Sequence, residues 1–438
     1  MRVAIATFGC KVNQYDSEIM RENFEEKSFT LVPFSEPADI YVINTCTVTE
    51  KTDFQARQLI RRAHRNNPDA KIVVTGCYAQ AAPEDLKKIS GVSLVIGNPD
   101  KWDIGTLISE LEKIPSSGIM VTPIEKELLF PEKKIKKFSA KTRFFLKIQD
   151  GCNAVCSYCI VPHVRGRSRS MAPKTVLDLL SPIGSSGYKE VVLTGIHLGA
   201  YGLDLSPQTS LLNLLQEIEK QKPVPRIRLS SIEPNEITQE LIDLLADSKL
   251  VCHHLHLPLQ SGDNTILRKM NRPYSSESFH SLVLRLTNVI QDLAIGVDVI
   301  VGFPGEGEEE FYHTLHLLEE LPITYLHVFP FSPRKGTLAF SLSEKVNSNT
   351  VKTRSEILRQ LSKKKRESFY RSYLNKKLPI LIEARRHRKS GLLKGLSRNY
   401  IPVLIDGGNE LMNTEIPVRV TSVEGEEVKG LARVMPRK

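Results

Sequence analysis

The chain has 438 residues and is 41% hydrophobic and 25% charged, an ordinary balance for a globular protein of two to four domains. No apolar run approaches the ~20 residues that a helix needs to cross a bilayer, which excludes a membrane-spanning helix. The net charge of +10 is concentrated late: residues 371–438 hold 14 Lys+Arg against 7 Asp+Glu, which suits a polyanionic partner such as nucleic acid or, failing that, a solvated basic surface.

Residues 3–7 open the chain as an apolar, strand-like run. That run is too short for a signal peptide, so a cytoplasmic location is expected. A helical pattern over 17–27 follows. Residues 39–44 form a second strand, then a helical stretch runs through Arg65. A third strand covers 71–75, and 83–89 look helical. Short apolar strands between helices predict an open parallel sheet covered on both faces. The Lys-rich stretch 132–137 reads as part of a linker over 126–142. Candidate strands then recur at 144–148, 190–193, 226–229, 254–257, 297–301 and 325–329, with helical stretches between them such as 211–220 and 237–246. Six βα units predict an incomplete barrel whose chemistry gathers at the carboxyl ends of the strands. A charged helix over about 351–373 follows, and its Lys363-Lys364-Lys365-Arg366 run reads as a solvated face. Beyond it, 378–384 and 416–421 alternate with period two between Gly-containing turns, which predicts a small antiparallel β-barrel. The expected divisions are 1–125, the linker, 143–370 and 371–438.

The seven cysteines carry the chemistry. Their odd number, with no secretion signal, argues against a disulfide framework. Cys152, Cys156 and Cys159 lie in Cys-x-x-x-Cys-x-x-Cys spacing after a Gly, directly beyond the first barrel strand. Three thiolates can converge on one metal centre and leave a position open, whereas a structural zinc site takes four ligands. Soft thiolates select an iron–sulfur cluster or zinc, and zinc would have to borrow a remote ligand. Cys10, Cys46 and Cys77 are far apart in sequence, and singly each reads as a small buried hydrophobe. Each also lies just past the carboxyl end of a predicted parallel strand, so the topology can bring them to one crevice. Cys252 reads as a structural thiol. His253, His254 and His256 alternate along a strand, so two share a face, as core or lining residues or toward a metal.

Cys152, Cys156 and Cys159 together resemble the signature of the radical S-adenosylmethionine enzymes. With Cys10, Cys46, Cys77 and the basic C-terminal module, nearly the whole chain resembles the methylthiotransferases of that superfamily. Matching segments include Ile160-Val161-Pro162 leading to Arg165-Gly166-Arg167-Ser168-Arg169-Ser170, Leu193-Thr194-Gly195-Ile196-His197, Ser230-Ser231-Ile232-Glu233-Pro234 and Val301-Gly302-Phe303-Pro304-Gly305-Glu306. The segment Thr7-Phe8-Gly9-Cys10-Lys11-Val12-Asn13-Gln14-Tyr15-Asp16-Ser17-Glu18 is similar to the branch that acts on threonylcarbamoyladenosine, the modified base next to the tRNA anticodon. The isopentenyladenosine branch tends to have Gln-Met at Lys11-Val12. Two positions depart from the usual pattern, His163 and Pro273.

The resemblance implies two 4Fe–4S clusters, one on each cysteine triad, and S-adenosylmethionine as the ligand that completes the Cys152 site. It implies a 5′-deoxyadenosyl radical that takes hydrogen from C2 of adenine, sulfur carried by the Cys10 site, and a second S-adenosylmethionine as methyl donor. Gly195, Ser230, Glu233 and Gly302, at strand ends, would line the S-adenosylmethionine site or else shape loops. The C-terminal module resembles a TRAM domain, where Arg385, Arg386, Arg388 and Lys389 would meet phosphates of the anticodon loop. An electron donor and a sulfur donor are implied, with no residue that identifies them, and a monomer is expected. The alternatives are action on isopentenyladenosine in tRNA or on a ribosomal protein, and, from another class, a zinc-stabilised RNA-binding protein without activity.

Overall fold

In the computed structural model, residues 1–109, 118–131 and 142–432 are described, so the Lys-rich stretch 132–137 lies outside the described residues. The chain opens as a six-stranded, wholly parallel sheet in the order β2-β1-β3-β4-β5-β6. Its strands are β1 (Arg2–Thr7), β2 (Thr30–Val32), β3 (Ile40–Thr45), β4 (Lys71–Gly76), β5 (Val92–Ile96) and β6 (Gly118–Met120), with helices α1 (Lys11–Glu26), α2 (Glu50–Asn66), α3 (Cys77–Ala81), α4 (Pro83–Lys87) and α5 (Ile104–Ser109). Every residue of β3 is buried, as expected for a central strand with helices on both faces. The helix α1 starts six residues before the expected position 17. Its buried face includes Asn13, Asp16 and Ser17, and these polar residues break the apolar period that would have announced it. The described part of the expected linker is not all solvated: Phe130 is buried.

The central unit is an arc of six parallel strands in two sheets, β11-β10-β7 and β12-β13-β14. These are β7 (Arg143–Lys147), β10 (Glu190–Thr194), β11 (Ile227–Leu229), β12 (His254–Gln260), β13 (Ala294–Val301) and β14 (Tyr325–Pro330). A short antiparallel pair, β8 (Gln149–Asp150) and β9 (Arg169–Ser170), flanks the Cys152 loop. The two sheets meet at a parallel bridge between Ile227 and Val251. The helices are α6 (Val161–Arg165), α7 (Pro173–Ser185), α8 (Leu211–Gln221), α9 (Gln239–Asp247), α10 (Asn264–Lys269), α11 (Ser276–Val289), α12 (Glu308–Glu320) and α13 (Ser348–Arg371). Alternation sorts the strand faces. In β13, Ile295, Val297, Val299 and Val301 join the apolar core under the helices, and Asp298 faces the lumen beside His256. Both open edges of the arc are covered. At β7, Tyr15 of α1 meets Phe144 edge-on at 6.4 Å. At β14, the Ser362 hydroxyl of α13 accepts from Leu326 N at 2.8 Å and donates to Leu326 O at 3.1 Å, in place of a neighbouring strand.

The last unit is a closed five-stranded barrel, β15-β16-β17-β19-β18: β15 (Lys377–Arg386), β16 (Leu393–Ser397), β17 (Pro402–Ile405), β18 (Glu415–Glu424) and β19 (Glu427–Ala432). It departs from the all-antiparallel expectation in one pairing, because β17 and β19 run parallel. Five strands cannot alternate direction around a closed ring, so at least one neighbouring pair must be parallel. The Lys363–Arg366 run also departs from a plain solvated face. Lys365 Nζ donates to Glu319 O and Leu321 O at 3.0 and 2.8 Å, and Arg366 pairs with Glu426.

Candidate functional site

Parallel neighbours β1, β3 and β4 end side by side, with Thr7 opposite Asn44 and Thr45 opposite Gly76. Cys10 caps α1, Cys46 follows β3 and Cys77 opens α3, so three distant thiols share one end of the sheet. Two glycines make the approach possible. Gly9, at φ +92°, would place a Cβ 2.6 Å from Cys46 Cβ, and Gly76, at φ +93°, would place one 2.4 Å from Thr45 O. The turns are tied from below: Asn13 Nδ2 donates to Phe8 O and Thr45 O at 2.8 and 2.9 Å, and Asn44 Nδ2 donates to Asn13 O at 3.0 Å. Burial pushes the Cys46 thiol well up, so it stays protonated at neutral pH unless a metal displaces the proton.

The Cys152 loop is pinned on both sides. Gly151, at φ +73°, lies so close to Arg167 that a Cβ would stand 1.9 Å from its carbonyl oxygen. Gln149 Nε2 donates to Gly151 O at 2.7 Å, while its Oε1 accepts from His197 N at 2.8 Å. Ser157 Oγ donates to Lys269 O at 2.7 Å, and Ala339 N donates to Ser157 O at 2.7 Å. Cys152 Sγ lies 3.3 Å from His197 Nδ1, whose other nitrogen lies 2.7 Å from Glu236 Oε1. Arg272 Nη1 donates to Cys156 Sγ at 3.2 Å, and Arg272 also pairs with Glu233. Burial pushes the Cys159 thiol up to about 12.

A buried polar network joins the two triads. Arg165, at the end of α6, points Nε at Cys77 Sγ at 3.4 Å. Its Nη1 reaches Asp150 at 2.9 Å and Asp16 at 3.1 Å, and its Nη2 donates to Asn13. Lys147 Nζ holds the same two carboxylates at 2.7 and 2.9 Å, and Lys101 Nζ holds Asp16 at 2.6 Å. Burial alone would raise Asp16, but Lys101, Lys147 and Arg165 outweigh it and hold the carboxylate low. Three cations against two carboxylates leave one positive charge facing Cys77. An uncompensated buried charge is costly, so this surplus fits an anionic, thiolate-bound group. Each triad thus offers three soft donors and directs a cationic donor at one sulfur, which fits an iron–sulfur cluster.

The expected S-adenosylmethionine residues divide between two places. Gly195, just past β10, lies against Gln149, so a Cβ there would stand 2.7 Å from Gln149 Oε1. Ser230 follows β11, donates its N–H to Leu193 O at 3.0 Å and keeps a buried hydroxyl oxygen without a protein partner. Glu233 pairs with Arg272, and burial raises its pKa. Gly195 and Glu233 are linked to the Cys152 loop through Gln149 and Arg272, and Ser230 stands at the neighbouring strand end. Gly302 instead faces α13, where a Cβ would stand 2.3 Å from Val351, and lines a cavity of about 450 Å³ with Pro304, Phe331 and Arg359.

Among the four basic residues expected to meet RNA, Arg388 and Lys389 project from the β15–β16 turn into solvent. Arg385 binds Glu383 at 2.8 Å, and Arg386 holds Asn409 Oδ1 and Gly407 O at 2.8 and 2.9 Å, so the barrel already employs both. Cys252 is buried, with Sγ 3.8 Å from Glu190 Oε2. His254 and His256 share the lumen face and His253 does not. Among the described residues, His256, Asp298 and His327 are the one trio with ligand atoms all within 4.8 Å of one another. The sequence alone assigns no role to Arg165, Arg272, His197 or Asp16. Asp16, Arg165 and His197 lie inside segments that resemble the family, while nothing local marks Arg272.

Residues 2–97 match the family described as uncharacterized protein family UPF0004, and residues 146–318 match the radical SAM superfamily. A threonylcarbamoyladenosine tRNA methylthiotransferase of Bacillus subtilis (strain 168) is 40% identical over 95% of this chain and 93% of its own length. The enzyme of that name from Aquifex aeolicus (strain VF5) is 38% identical over 94% of this chain and 98% of its own. A tRNA-2-methylthio-N(6)-dimethylallyladenosine synthase of Pelotomaculum thermopropionicum is 32% identical over 98% of this chain and 96% of its own. In solved structures, the radical S-adenosylmethionine methyltransferase TsrM from Kitasatospora setae, with cobalamin and a [4Fe-4S] cluster bound, superposes with a TM-score of 0.58 at 17% identity, covering 77% of each chain.

Proposed function

The chain belongs to the radical S-adenosylmethionine methylthiotransferase family, and on that premise we propose that it converts threonylcarbamoyladenosine next to the tRNA anticodon into its 2-methylthio derivative. The observation that carries the reading is the Arg165 bridge: a helix that leaves the Cys152 triad reaches Cys77 of the other triad. A sulfur-carrying centre must stand beside the place where the radical is made, and a side chain that runs from the helix after Cys159 to Cys77 supports that arrangement. When bound, the cofactors supply one-electron cleavage of S-adenosylmethionine and the sulfur and methyl group to be transferred.

The protein's own part is to hold and shield. Cys152, Cys156 and Cys159 would bind three irons of one 4Fe–4S cluster, and Cys10, Cys46 and Cys77 three of the other. Gly195 makes room for Gln149 and would thereby shape the loop at the end of β10. The Ser230 hydroxyl and the Glu233 carboxylate offer polar contacts to the amine or ribose of S-adenosylmethionine, and Arg272 orients Glu233. Gly302 would shape the wall on the α13 side. Arg388 and Lys389, with Arg385 and Arg386 behind them, would meet phosphates of the anticodon arm. A tRNA substrate and the one-electron chemistry call for a soluble setting, an electron donor and a sulfur donor.

Nucleoside mass spectrometry of tRNA from cells lacking the protein tests the substrate. The 2-methylthio form of threonylcarbamoyladenosine should vanish while its precursor accumulates. Persistence of that form, in cells with no second such enzyme, would overturn the assignment. Loss of the methylthio dimethylallyl nucleoside instead would transfer it to the other branch.

A further inference from the structure

The lumen face of the second sheet gathers imidazoles around one carboxylate. Leu257, Val299 and Leu326 turn to the apolar core under the helices. Period two therefore sends His256 of β12, Asp298 of β13 and His327 of β14 to the other face. Asp298 stands opposite His327 in the strand register. Its Oδ1 lies 2.8 Å from His256 Nε2 and 3.3 Å from His327 Nδ1. One donor atom from each of the three residues lies within 4.8 Å of the other two. The far nitrogen of His256, Nδ1, lies 3.4 Å from the Tyr325 hydroxyl, which also reaches His254 Nε2 at 2.9 Å. Gly296 admits that tyrosine, because a Cβ there would stand 2.3 Å from its Cζ. His256 and Asp298 are mostly enclosed, at 10% and 21% side-chain exposure, whereas His327 is half exposed.

The charge pattern sets Asp298 apart. Asp16, Asp150, Glu190 and Glu306 are each met by a lysine or arginine. Among the described residues, Asp298 is met by ring nitrogens alone. An enclosed carboxylate is stabilised by a paired cation or a bound metal. Two imidazoles and a carboxylate form a ligand set for a divalent transition ion, and they leave positions open. With bonds of about 2.1 Å, ligand atoms around a tetrahedral ion stand roughly 3.4 Å apart, close to the His327–Asp298 spacing. The Tyr325 hydroxyl can accept from His256 Nδ1 while donating to His254 Nε2. That arrangement fixes the tautomer that turns the His256 Nε2 lone pair toward an ion. We propose that His256, Asp298 and His327 bind one divalent ion of the zinc class, apart from both thiolate triads. Its open positions face the lumen, where water or an oxygen of the substrate completes the shell. The inference does not depend on which adenosine is modified. The competing reading is a relay of hydrogen bonds among the three side chains that holds no ion.

Zinc binding to the full-length, cluster-loaded protein tests this. Chains reconstituted anaerobically to about eight irons are equilibrated with buffered zinc, and zinc and iron are counted together. The wild type should take up about one zinc per chain with its iron unchanged. X-ray absorption at the zinc edge should show nitrogen and oxygen at about 2.0–2.2 Å and no sulfur at about 2.3 Å. Asp298→Asn and His327→Ala should lose the zinc and keep the iron, and Tyr325→Phe should weaken zinc binding about 10- to 100-fold. No uptake by the wild type leaves the hydrogen-bonded relay and overturns the proposal without recourse to any variant. A sulfur shell, or zinc gained only as iron falls, assigns the metal to the cysteines and overturns it as well. Equal zinc in the wild type, Asp298→Asn and His327→Ala overturns it in favour of scattered surface sites.

Discussion

Arg165 occupies a position where a change of one side chain should be felt at both triads. It is fully buried, so removing its charge leaves Asp150 and Asp16 short of a partner and Cys77 without its donor. Breaking a buried ion pair from one side typically costs about 3–5 kcal/mol. Arg165→Gln should therefore unfold at clearly lower temperature and should lose iron from the Cys10 site first. Iron and sulfide counts with a thermal melt would check this; full iron content and an unchanged melt would show that the bridge is dispensable. Arg165→Lys keeps the charge but cannot span three partners with one nitrogen, and should fall between. The arginine itself lies inside a segment that matches the family, yet its role was not legible there. Its thiol partner is 88 residues away, and no local pattern records a contact of that range.

At the scale of elements, the backbone around the Cys152 loop is as specific as its thiols. Gly151 and Gly187 share the left-handed backbone region, at φ +73° and +90°, but their surroundings differ. A Cβ at Gly151 would stand 1.9 Å from the Arg167 carbonyl oxygen, whereas nothing lies within 4 Å of one at Gly187. Gly187→Ala should cost only the conformational penalty, about 1–2 kcal/mol, and leave the iron content intact. Gly151→Ala must displace the loop, and should hold roughly four irons per chain where the wild type holds about eight. Equal iron in the two variants would mean that the loop tolerates the shift. The sequence also made most long elements legible, because β13 and α8 repeat their apolar residues at the period of their geometry and β3 is a short continuous apolar run. The edge strands β2 and β6, three residues each, are too short to show a period. The early start of α1 was hidden because its inward face carries Asn13 and Asp16, polar residues used for the buried network.

Over the whole molecule, the C-terminal barrel is joined to the arc by backbone carbonyls that no side-chain pattern could announce. Arg226 Nη1 donates to Leu396 O at 3.3 Å, Arg228 Nη2 donates to Ser397 O at 3.1 Å, and the Tyr400 ring stacks on His254 at 4.2 Å. The barrel is thereby set against the lumen rather than tethered beside it, so its charges have a defined direction relative to the cysteines. Its basic residues do not contribute alike. Arg385 and Arg386 are bound within the barrel, whereas Arg388 and Lys389 reach into solvent and are free to meet phosphate. Each phosphate contact adds roughly 0.7–0.9 to the slope of log affinity against log salt. Replacing Arg388 and Lys389 together with serine should therefore weaken tRNA binding most at low salt and flatten that slope by about 1.4–1.8. Titrations at several salt concentrations would read it. A slope equal to the wild type would place the phosphate contacts elsewhere on the basic surface, whereas a flattened slope with the preference for the modified base retained would separate the part of the molecule that holds RNA from the part that reads it.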